Sequence, residues 1–459
     1  MPRQFITRQP RHFSPAVSLA ALGIKVHRKR LLDPIRKLVR IAQKTVKDQP
    51  FDKLVDVLVT LLSGACGVVE VNTRLRPDPV VQRAWGRERC AEQSVAQQTL
   101  DACTEENVEQ MQEALDEIFQ RHSRSYRHPY EKEWLILDVD LTGMPCGKKA
   151  ELATKGYFTT KRNRRGRQMG RVLASQYQEV VVDQLYSGTA HLSTSLRELV
   201  EAAEKTLALT PEKRRHTLIR MDAGGGTLDE INWLLSRGYG YHGKEFSWKR
   251  AEKLAKTVEQ WIDDPVIPGR QVGWVTIEPE EYVRPVRRIA GRLRKKNGQW
   301  GYAVIISTVE PASVLRLTET APDADDTALL LAYVRFYDQR GGGVETSFLE
   351  DKQGLGITKR NKKRFAAQQM LMLLGTLAHN LLIWARGWLA KDPDSPLRKV
   401  GIKRLVRDVL HTSGSVRFNE HHHICEVNLN PAAPWSKALL DPLRRLLASQ
   451  HVVINLDKT

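Results

Sequence analysis

The chain of 459 residues is long enough for two or three domains and carries a strong positive charge. Its 72 lysines and arginines against 53 acidic residues give a formal net charge of +19, which favours a polyanionic partner, with nucleic acid ahead of an anionic membrane. The five cysteines are scattered without Cys-x-x-Cys spacing, so no zinc site is visible, and their odd, sparse count predicts reduced thiols in a cytoplasmic protein.

The N-terminal part is predicted to be helical. Residues 1–20 are expected to form a basic tail, and residues 21–130 a helical domain with apolar residues at helical spacing. Its segment Cys90–Thr104 resembles the second half of a helix-turn-helix, although an amphipathic helix in a bundle is the plainer interpretation. The arginines around this segment favour DNA contact for the domain.

Residues 131–262 change to strands that alternate with helices, which predicts an α/β fold. The apolar run WLILDV is typical of a strand buried on both faces, and the acids Asp138 and Asp140 lie at its end. A second such strand, His216–Met221, is followed by Asp222. An acid at the end of a buried strand is costly unless it binds something, so both strand ends are candidate ligand sites.

A β-rich stretch, residues 263–325, interrupts the alternation. Its segment 284–296 and an earlier predicted loop, residues 155–171, are dense in lysine and arginine. A solvated basic face is the ordinary explanation, and binding to DNA phosphates is the functional one. The candidates for phosphate contact in the β-rich stretch are Arg292, Arg294, Lys295 and Lys296.

Residues 326–395 contain the most informative segment. A predicted strand, Ala332–Phe336, precedes three glycines, and a helical pattern begins at Val344. Glu345 and Lys352 are seven residues apart, so a helix places them on nearly one face, downstream of Arg340. A carboxylate can hold a divalent metal, and arginine and lysine can hold phosphate; a salt-bridged surface helix is the alternative.

The uncharged stretch Phe365–Ala385 has the length of a membrane span. Its polar side chains are costly in lipid, so we expect a buried core helix; they are Gln368, Gln369, His379 and Asn380.

The last part of the chain, residues 396–459, is predicted to be a basic C-terminal region. Its segment Glu420–Cys425 reads EHHHIC and looks like a cluster of metal ligands. Alternation in a strand would turn neighbouring histidines to opposite faces, so an exposed strand near a polyanion is the preferred interpretation.

The acids Asp140, Asp222 and Glu345 form a joint pattern. Each alone is explained by a cap, a turn or a salt bridge. Brought together, three carboxylates repel one another unless divalent cations neutralise them, and two hard cations about 4 Å apart serve in-line phosphoryl transfer. The basic flanks favour this two-metal interpretation.

At this point the sequence resembles the DDE transposases of bacterial insertion sequences. The branch it is similar to has a β-rich insertion before the last glutamate and a Tyr/Arg/Glu/Lys signature, matched here by Tyr337, Arg340, Glu345 and Lys352. The first two acids match within LDVDLTG and RMDAGGG, where an Asp-x-Thr arrangement favours Asp140 over Asp138. Four residues separate Arg340 from Glu345 where the family has three, which leaves Glu350 as an alternative.

The resemblance implies a ribonuclease H-like catalytic core, interrupted by the β-rich insertion and completed in residues 326–395. It implies cleavage at the element ends, with a hairpin intermediate as one route, and transfer of the freed 3′-hydroxyl strand into target DNA. Two Mg²⁺ ions, replaceable by Mn²⁺, would be held by Asp140, Asp222 and Glu345, while Tyr337, Arg340 and Lys352 would position phosphates.

The expected partner is double-stranded DNA, bound by a homodimer in the bacterial nucleoid, with no membrane. Two other functions remain open from the residues: a transposase-derived DNA-binding protein without catalysis, and a ribonuclease H-like nuclease specific for branched DNA or hybrids.

Overall fold

The computed structural model describes residues 10–44, 47–156, 158, 164–277 and 281–457. The chain divides into two compact units. The terminal unit comprises Met1–His122, Lys149–Glu151 and Leu349–Thr459, and the central unit comprises Ser123–Lys148 and Leu152–Phe348. The N- and C-terminal regions therefore share one unit, rather than forming the separate regions proposed from the sequence.

The protein is a mixed α/β structure. Its helices are α1 Val17–Arg28, α2 Asp33–Leu38, α3 Pro50–Leu62, α4 Pro79–Ala84, α5 Gln93–Asp101, α6 Glu105–His122, α7 Leu192–Leu207, α8 Pro211–Arg215, α9 Leu228–Ser236, α10 Trp248–Ala255, α11 Pro311–Leu317, α12 Asp326–Arg340, α13 Thr346–Gly354, α14 Phe365–Leu389, α15 Ile402–Arg404 and α16 Ser436–Leu447. The turn Gly341–Glu345, which is kinked at Gly343, joins α12 to α13.

The strands are β1 His12–Ser14, β2 Leu135–Pro145, β3 Thr154–Lys155, β4 Arg165–Ala174, β5 Glu179–Ser187, β6 Thr217–Met221, β7 Gly240–Lys244, β8 Ile262–Asp263, β9 Arg270–Trp274, β10 Arg287–Arg294, β11 Trp300–Ser307, β12 Gly414–Phe418, β13 Ile424–Leu429 and β14 Val453–Leu456.

One ten-stranded sheet organises the central unit, in the order β3-β4-β2-β6-β7-β11-β10-β9-β8, with β5 also paired to β4. Strands β2, β6 and β7 run parallel, whereas β4 and β5 run antiparallel. Strands β2 and β6 contain the apolar runs identified in the sequence, because a strand covered on both faces needs apolar residues throughout. The carboxyl ends of β6 and β7 meet at one edge of the sheet, while β2 continues beyond them to Pro145.

The β-rich stretch extends this sheet. Strand β11 hydrogen-bonds to β7, and β10, β9 and β8 follow as an antiparallel meander. Ile289 and Ile305 from the stretch pack in the same apolar cluster as Ile136 and Leu218 from the parallel strands. The stretch and the parallel strands thus share one core.

The predicted strand Ala332–Phe336 is wrong, because these residues belong to helix α12. Its buried residues include Leu330, Tyr333 and Tyr337, which recur every three or four residues as on one helical face. The carboxylate of Asp325 accepts a hydrogen bond from the backbone N–H of Ala328 at 2.7 Å and caps the helix.

The predicted basic loop, residues 155–171, is also wrong in its second half. Strand β4 begins at Arg165, and the Arg171 side chain is buried with bonds of 2.8 Å from Nε and Nη2 to the Asp183 carboxylate. The carboxylate offsets the cost of burying a cation, which allows arginine inside a sheet. Residues 157 and 159–163 of the predicted loop lie outside the described residues.

In the terminal unit, helix α14 confirms the predicted buried core helix. Its most apolar 18-residue window is long enough to cross a membrane, but that window is 100% buried inside the protein. It packs against α3, α5, α6 and α16.

The predicted basic tail is wrong from His12 onward, since β1 pairs with β12 and α1 follows. Residues 1–9 of that tail lie outside the described residues. The hairpin predicted over Ser415–Leu429 is confirmed by the antiparallel pair β12 and β13. The expectation of an exposed histidine strand is wrong, because His421, His422 and His423 lie in the turn between these strands.

Candidate active site

Asp140 and Asp222 lie side by side, but only Asp222 follows the end of its strand; β2 continues to Pro145, so the expectation that Asp140 ends its strand is wrong. In the parallel pair of β2 and β6, Asp138 stands opposite Arg220 and Val139 opposite Met221. One further step along both strands brings Asp140 beside Asp222. Neighbouring strands are about 4.8 Å apart, so the sheet register alone brings these two carboxylates to the same point on its edge.

The Asp138 carboxylate is held in hydrogen bonds inside the protein. It is fully buried, and its oxygens accept bonds of 2.7 and 3.0 Å from Nε and Nη2 of Arg220. The Ser175 hydroxyl also donates to it. A carboxylate with these partners is already neutralised, which supports Asp140 as the chemically active member of the pair.

The kinked turn Gly341–Glu345 brings Glu345 toward Asp140. Nη1 of Arg340 donates to Glu345 Oε1 at 2.7 Å, and its Nη2 lies 2.8 Å from Asp140 Oδ2. The second contact is an ion pair without hydrogen-bond alignment, because Nη2 lacks a hydrogen-bond partner. Arg340 thus lies between the two carboxylates, with its side chain 4% exposed and that of Glu345 57% exposed.

A kinked turn stands where the signature has its unusual spacing. The turn Gly341–Glu345 lies between Arg340 and α13, and Gly343 within it has a non-helical backbone with φ of −89° and ψ of −107°. The additional residue of the sequence therefore falls in a kink between two helices.

Gly343 allows this turn to approach the sheet. A Cβ atom at Gly343 would lie 2.2 Å from Asp138 Oδ2, closer than any side chain permits. At Gly341 and Gly342 a Cβ atom would meet nothing within 4 Å. Close approach to Asp138 therefore requires glycine at only one of the three positions.

Glu350 has a different environment. It belongs to the terminal unit, where its Oε2 accepts a bond of 2.7 Å from the backbone N–H of Lys403. This contact supports Glu345 over Glu350 as the third acid. Lys352 also belongs to the terminal unit, so its place beside Glu345 remains a prediction.

The electrostatics of Asp140 reflect this crowding. Burial raises the pKa of Asp140 to about 6, Arg340 opposes the rise, and the Asp222 and Glu345 charges contribute to it. Asp222 itself accepts a bond of 2.8 Å from the backbone N–H of Gly224. The carboxylates are near enough to repel one another.

The described residues contain no group of three His, Cys, Asp or Glu side chains placed to hold a metal. The oxygen donors of Asp140, Asp222 and Glu345 suit a hard divalent cation, but the Arg340 guanidinium now lies between two of them. Metal ligation by the three acids would require Arg340 to move.

Lys244 was missed by the sequence reasoning. It ends β7, and because Met221 stands opposite Gly243, one further step places Lys244 beside Asp222. Its ammonium lies 4.5 Å from the centre of the Tyr337 ring. Burial lowers the pKa of Lys244, an effect that the Asp338 charge opposes. The sequence held no local signal for it, because the pairing of β7 with β6 cannot be read from spacing.

The family assignment comes from the whole sequence. The sequence profile of the transposase DDE domain, group 1, matches residues 31–451. The chain belongs to this family. The cryo-EM structure of the piggyBac transposase synaptic complex with hairpin DNA is similar at a TM-score of 0.42 and 13% identity, over 88% of this chain and 83% of that chain. No curated protein matches the chain in sequence.

The basic candidates of this DDE transposase lie on the β10–β11 hairpin. Lys244 stands opposite Ile305 in β11, so the hairpin turn extends beyond the end of β7, at the edge that carries Asp222. At about 3.3 Å per residue, the turn lies about 25 Å beyond that edge. The side chains exposed near it are Arg294, Lys295 and Lys296.

Arg292 differs from its neighbours on the hairpin. Its guanidinium lies 4.2 Å from the Trp261 ring centre and 4.5 Å from that of Trp300. Its Nε donates to Gln271 Oε1 at 2.7 Å. Arg292 is thus largely occupied within the protein, whereas its neighbours face solvent. Phosphate contact by these residues remains a prediction.

Proposed function

We propose that the protein is a metal-dependent DNA transposase of the bacterial insertion-sequence type, with a ribonuclease H-like core. It would cleave the ends of its element and transfer the 3′-hydroxyl strand into target DNA. The single observation that carries this proposal is the meeting of Asp140 and Asp222 at one sheet edge, with Glu345 joined to Asp140 through Arg340.

In this proposal the three acids bind Mg²⁺, or Mn²⁺ in its place, through their carboxylate oxygens. When bound, two such ions supply an activated attacking oxygen and a stabilised leaving oxygen. Arg340 leaves the space between Asp140 and Glu345 and pairs with a backbone phosphate, as a planar guanidinium readily does. Tyr337 and Lys244 line the same edge, and Lys352 is proposed to contact phosphate with them.

The basic hairpin is proposed to bind DNA that leaves this edge. A reach of about 25 Å corresponds to about seven base pairs at 3.4 Å per pair, so Arg294, Lys295 and Lys296 would contact flanking phosphates. Cleavage through a hairpin intermediate, a DNA-bound homodimer and a location in the bacterial nucleoid belong to the same proposal.

The test uses duplexes that carry the inverted repeats flanking the gene. We expect Asp140→Asn, Asp222→Asn and Glu345→Gln each to abolish Mg²⁺-dependent cleavage on denaturing gels, while duplex binding is retained. The control is Asp229→Asn, an exposed acid at the start of α9.

Other outcomes separate the rival functions. Binding without any metal-dependent cleavage by the unaltered protein would identify a DNA-binding protein. Cleavage of branched DNA without strand transfer would identify a structure-specific nuclease. Normal cleavage by Asp222→Asn would contradict the assignment of the acids.

A further inference from the structure

A second strongly charged surface lies in the terminal unit. A cleft with a volume of about 930 Å³ is bounded by the end of α1, the segment after α4 and the turn between β12 and β13. We call it the histidine cleft, because His421, His422 and His423 lie along one wall. These are the histidines of the EHHHIC segment, which the proposed chemistry does not use.

Hydrogen bonds fix the backbone of the turn that carries the three histidines. The Asn419 side-chain oxygen accepts bonds from the backbone N–H groups of His421 at 3.0 Å and His423 at 2.9 Å. The backbone N–H of Asn419 donates in turn to the His423 carbonyl at 2.8 Å. His422 has a φ of 57° at the tip of the turn. With the backbone held in this way, all three imidazoles stay exposed.

The opposite walls carry arginines. Arg28 and Arg30 come from the end of α1, and Arg83 and Arg89 from α4 and the segment after it. All four residues are exposed, although Nη1 of Arg28 also donates to the Gln450 carbonyl at 2.7 Å and the Arg83 guanidinium lies 5.1 Å from the centre of the Phe418 ring. They come from separate elements of the chain, yet their side chains line one cleft.

Few acids oppose these cations. Glu88 lines the cleft, and Glu420 is exposed in the histidine turn. Arg87 is more than balanced by acids outside the cleft, since it pairs with Asp56 at 2.9 Å, Asp52 at 3.2 Å and Asp48 at 3.7 Å. Arg89 lies 3.8 Å from Asp48, and His27 is a further imidazole on the α1 wall. Among the residues that line the cleft itself, five arginines face one glutamate.

We propose that the histidine cleft is a second phosphate-binding surface for duplex DNA, on which the three histidines add contacts when they are protonated. Exposed guanidinium groups from several directions suit a backbone that carries one charge per 1.7 Å of helix axis. A membrane surface is a poorer fit, because Ile24 and Ile424, the large apolar residues lining the cleft, are buried.

This inference depends on the proposed function for the identity of the polyanion. The cleft itself is separate from Asp140, Asp222 and Glu345, since every residue that lines it belongs to the terminal unit. Binding can therefore be measured in EDTA, apart from cleavage.

The test is the salt dependence of binding of a fluorescent duplex to the full-length protein at pH 8 and at pH 6. Imidazoles gain charge in this interval, and each phosphate contact adds about 0.9 to the log–log slope. We expect the slope to steepen by about 2 to 3 at pH 6. The triple variant His421→Gln, His422→Gln, His423→Gln should lose that steepening and keep the pH 8 slope.

Two variants complete the experiment. His216→Gln removes an exposed histidine of the central unit. The salt-dependence slope of this variant should steepen between pH 8 and pH 6 as much as that of the unaltered protein. Arg28→Gln with Arg83→Gln should lower the slope at pH 8 by about 2.

An equal slope at pH 6 in the triple-glutamine variant and the unaltered protein would overturn the inference. If the unaltered protein still cleaved element ends, the proposed function would stand. Failure of the unaltered protein to bind duplex DNA at either pH would overturn both.

Discussion

Asp138 and Asp140 lie two residues apart on one strand, and we expect their removal to change stability in opposite directions. Asp138→Asn leaves the Arg220 guanidinium, which is 3% exposed, without its counter-charge. Breaking one partner of a buried pair costs about 3–5 kcal/mol. This variant should therefore unfold far more easily at pH 7.

Asp140→Asn should have the reverse effect. Burial raises the pKa of Asp140 from 3.8 to about 6, so between these values the folded protein holds a proton that the unfolded chain has released. Stability therefore falls as the pH rises through this window, and the full cost of about 3 kcal/mol is present at pH 7. Asparagine carries no charge and removes that cost.

The assay is hydrogen exchange of peptides from β2 and β6 in EDTA, followed by mass spectrometry at pH 7. We expect the opening free energy to fall in Asp138→Asn and to rise by up to about 3 kcal/mol in Asp140→Asn. The Asp229→Asn control should stay within about 0.5 kcal/mol of the unaltered protein. Equal destabilisation by both asparagines would refute the division into a structural and a chemical aspartate.

Three further outcomes are expected. Gly343→Ala should cost about 1–3 kcal/mol, because the new Cβ atom would lie 2.2 Å from the Asp138 carboxylate, whereas Gly342→Ala should change little; urea unfolding compares the two. Burial lowers the pKa of His242 to about 3, so its ring signals should stay constant from pH 7.5 to pH 5 in NMR spectra, and a midpoint above pH 5 would contradict this. Below pH 6.5 the unfolded chain protonates this histidine and the folded protein does not, so the free energy of unfolding should fall by about 2 kcal/mol by pH 5. Lys244→Met should slow end cleavage more than it weakens duplex binding, and Lys244→Arg should partly restore the cleavage rate. Equal losses of cleavage rate and binding affinity would contradict the position of the Lys244 ammonium beside the reacting phosphate.

The sequence located strands β2 and β6 because their signal is local, but it ended β2 too early, since that strand continues to Pro145. An apolar run followed by an acid needs no knowledge of distant partners, and β2 and β6 formed where those runs occur. Helix α12 was missed because its run of apolar residues fits a strand as well as a helix. The Asp325 cap, which separates the two readings, was overlooked.

Other features depend on contacts that no local pattern encodes. Lys244 matters because its strand is the neighbour of β6, and pairing between distant strands cannot be read from spacing. Likewise, alternation cannot separate Asp138 from Asp140; the Asp-x-Thr arrangement favoured Asp140, and the position of Arg220 across the sheet supplies the structural reason. The choice of Glu345, and the roles of Arg340 and Lys352, remain predictions.

The continuity of the sheet limits how this protein can be engineered. In the sequence, residues 263–325 look like an insertion that could be deleted. In the structure, however, β11 hydrogen-bonds along the edge of β7. A deletion would leave that edge unpaired and open to association with other chains, and would strip Ile289 and Ile305 from the core. Length changes should therefore be tolerated at the hairpin turn around residue 297, and not within the paired strands β7, β11, β10 and β9.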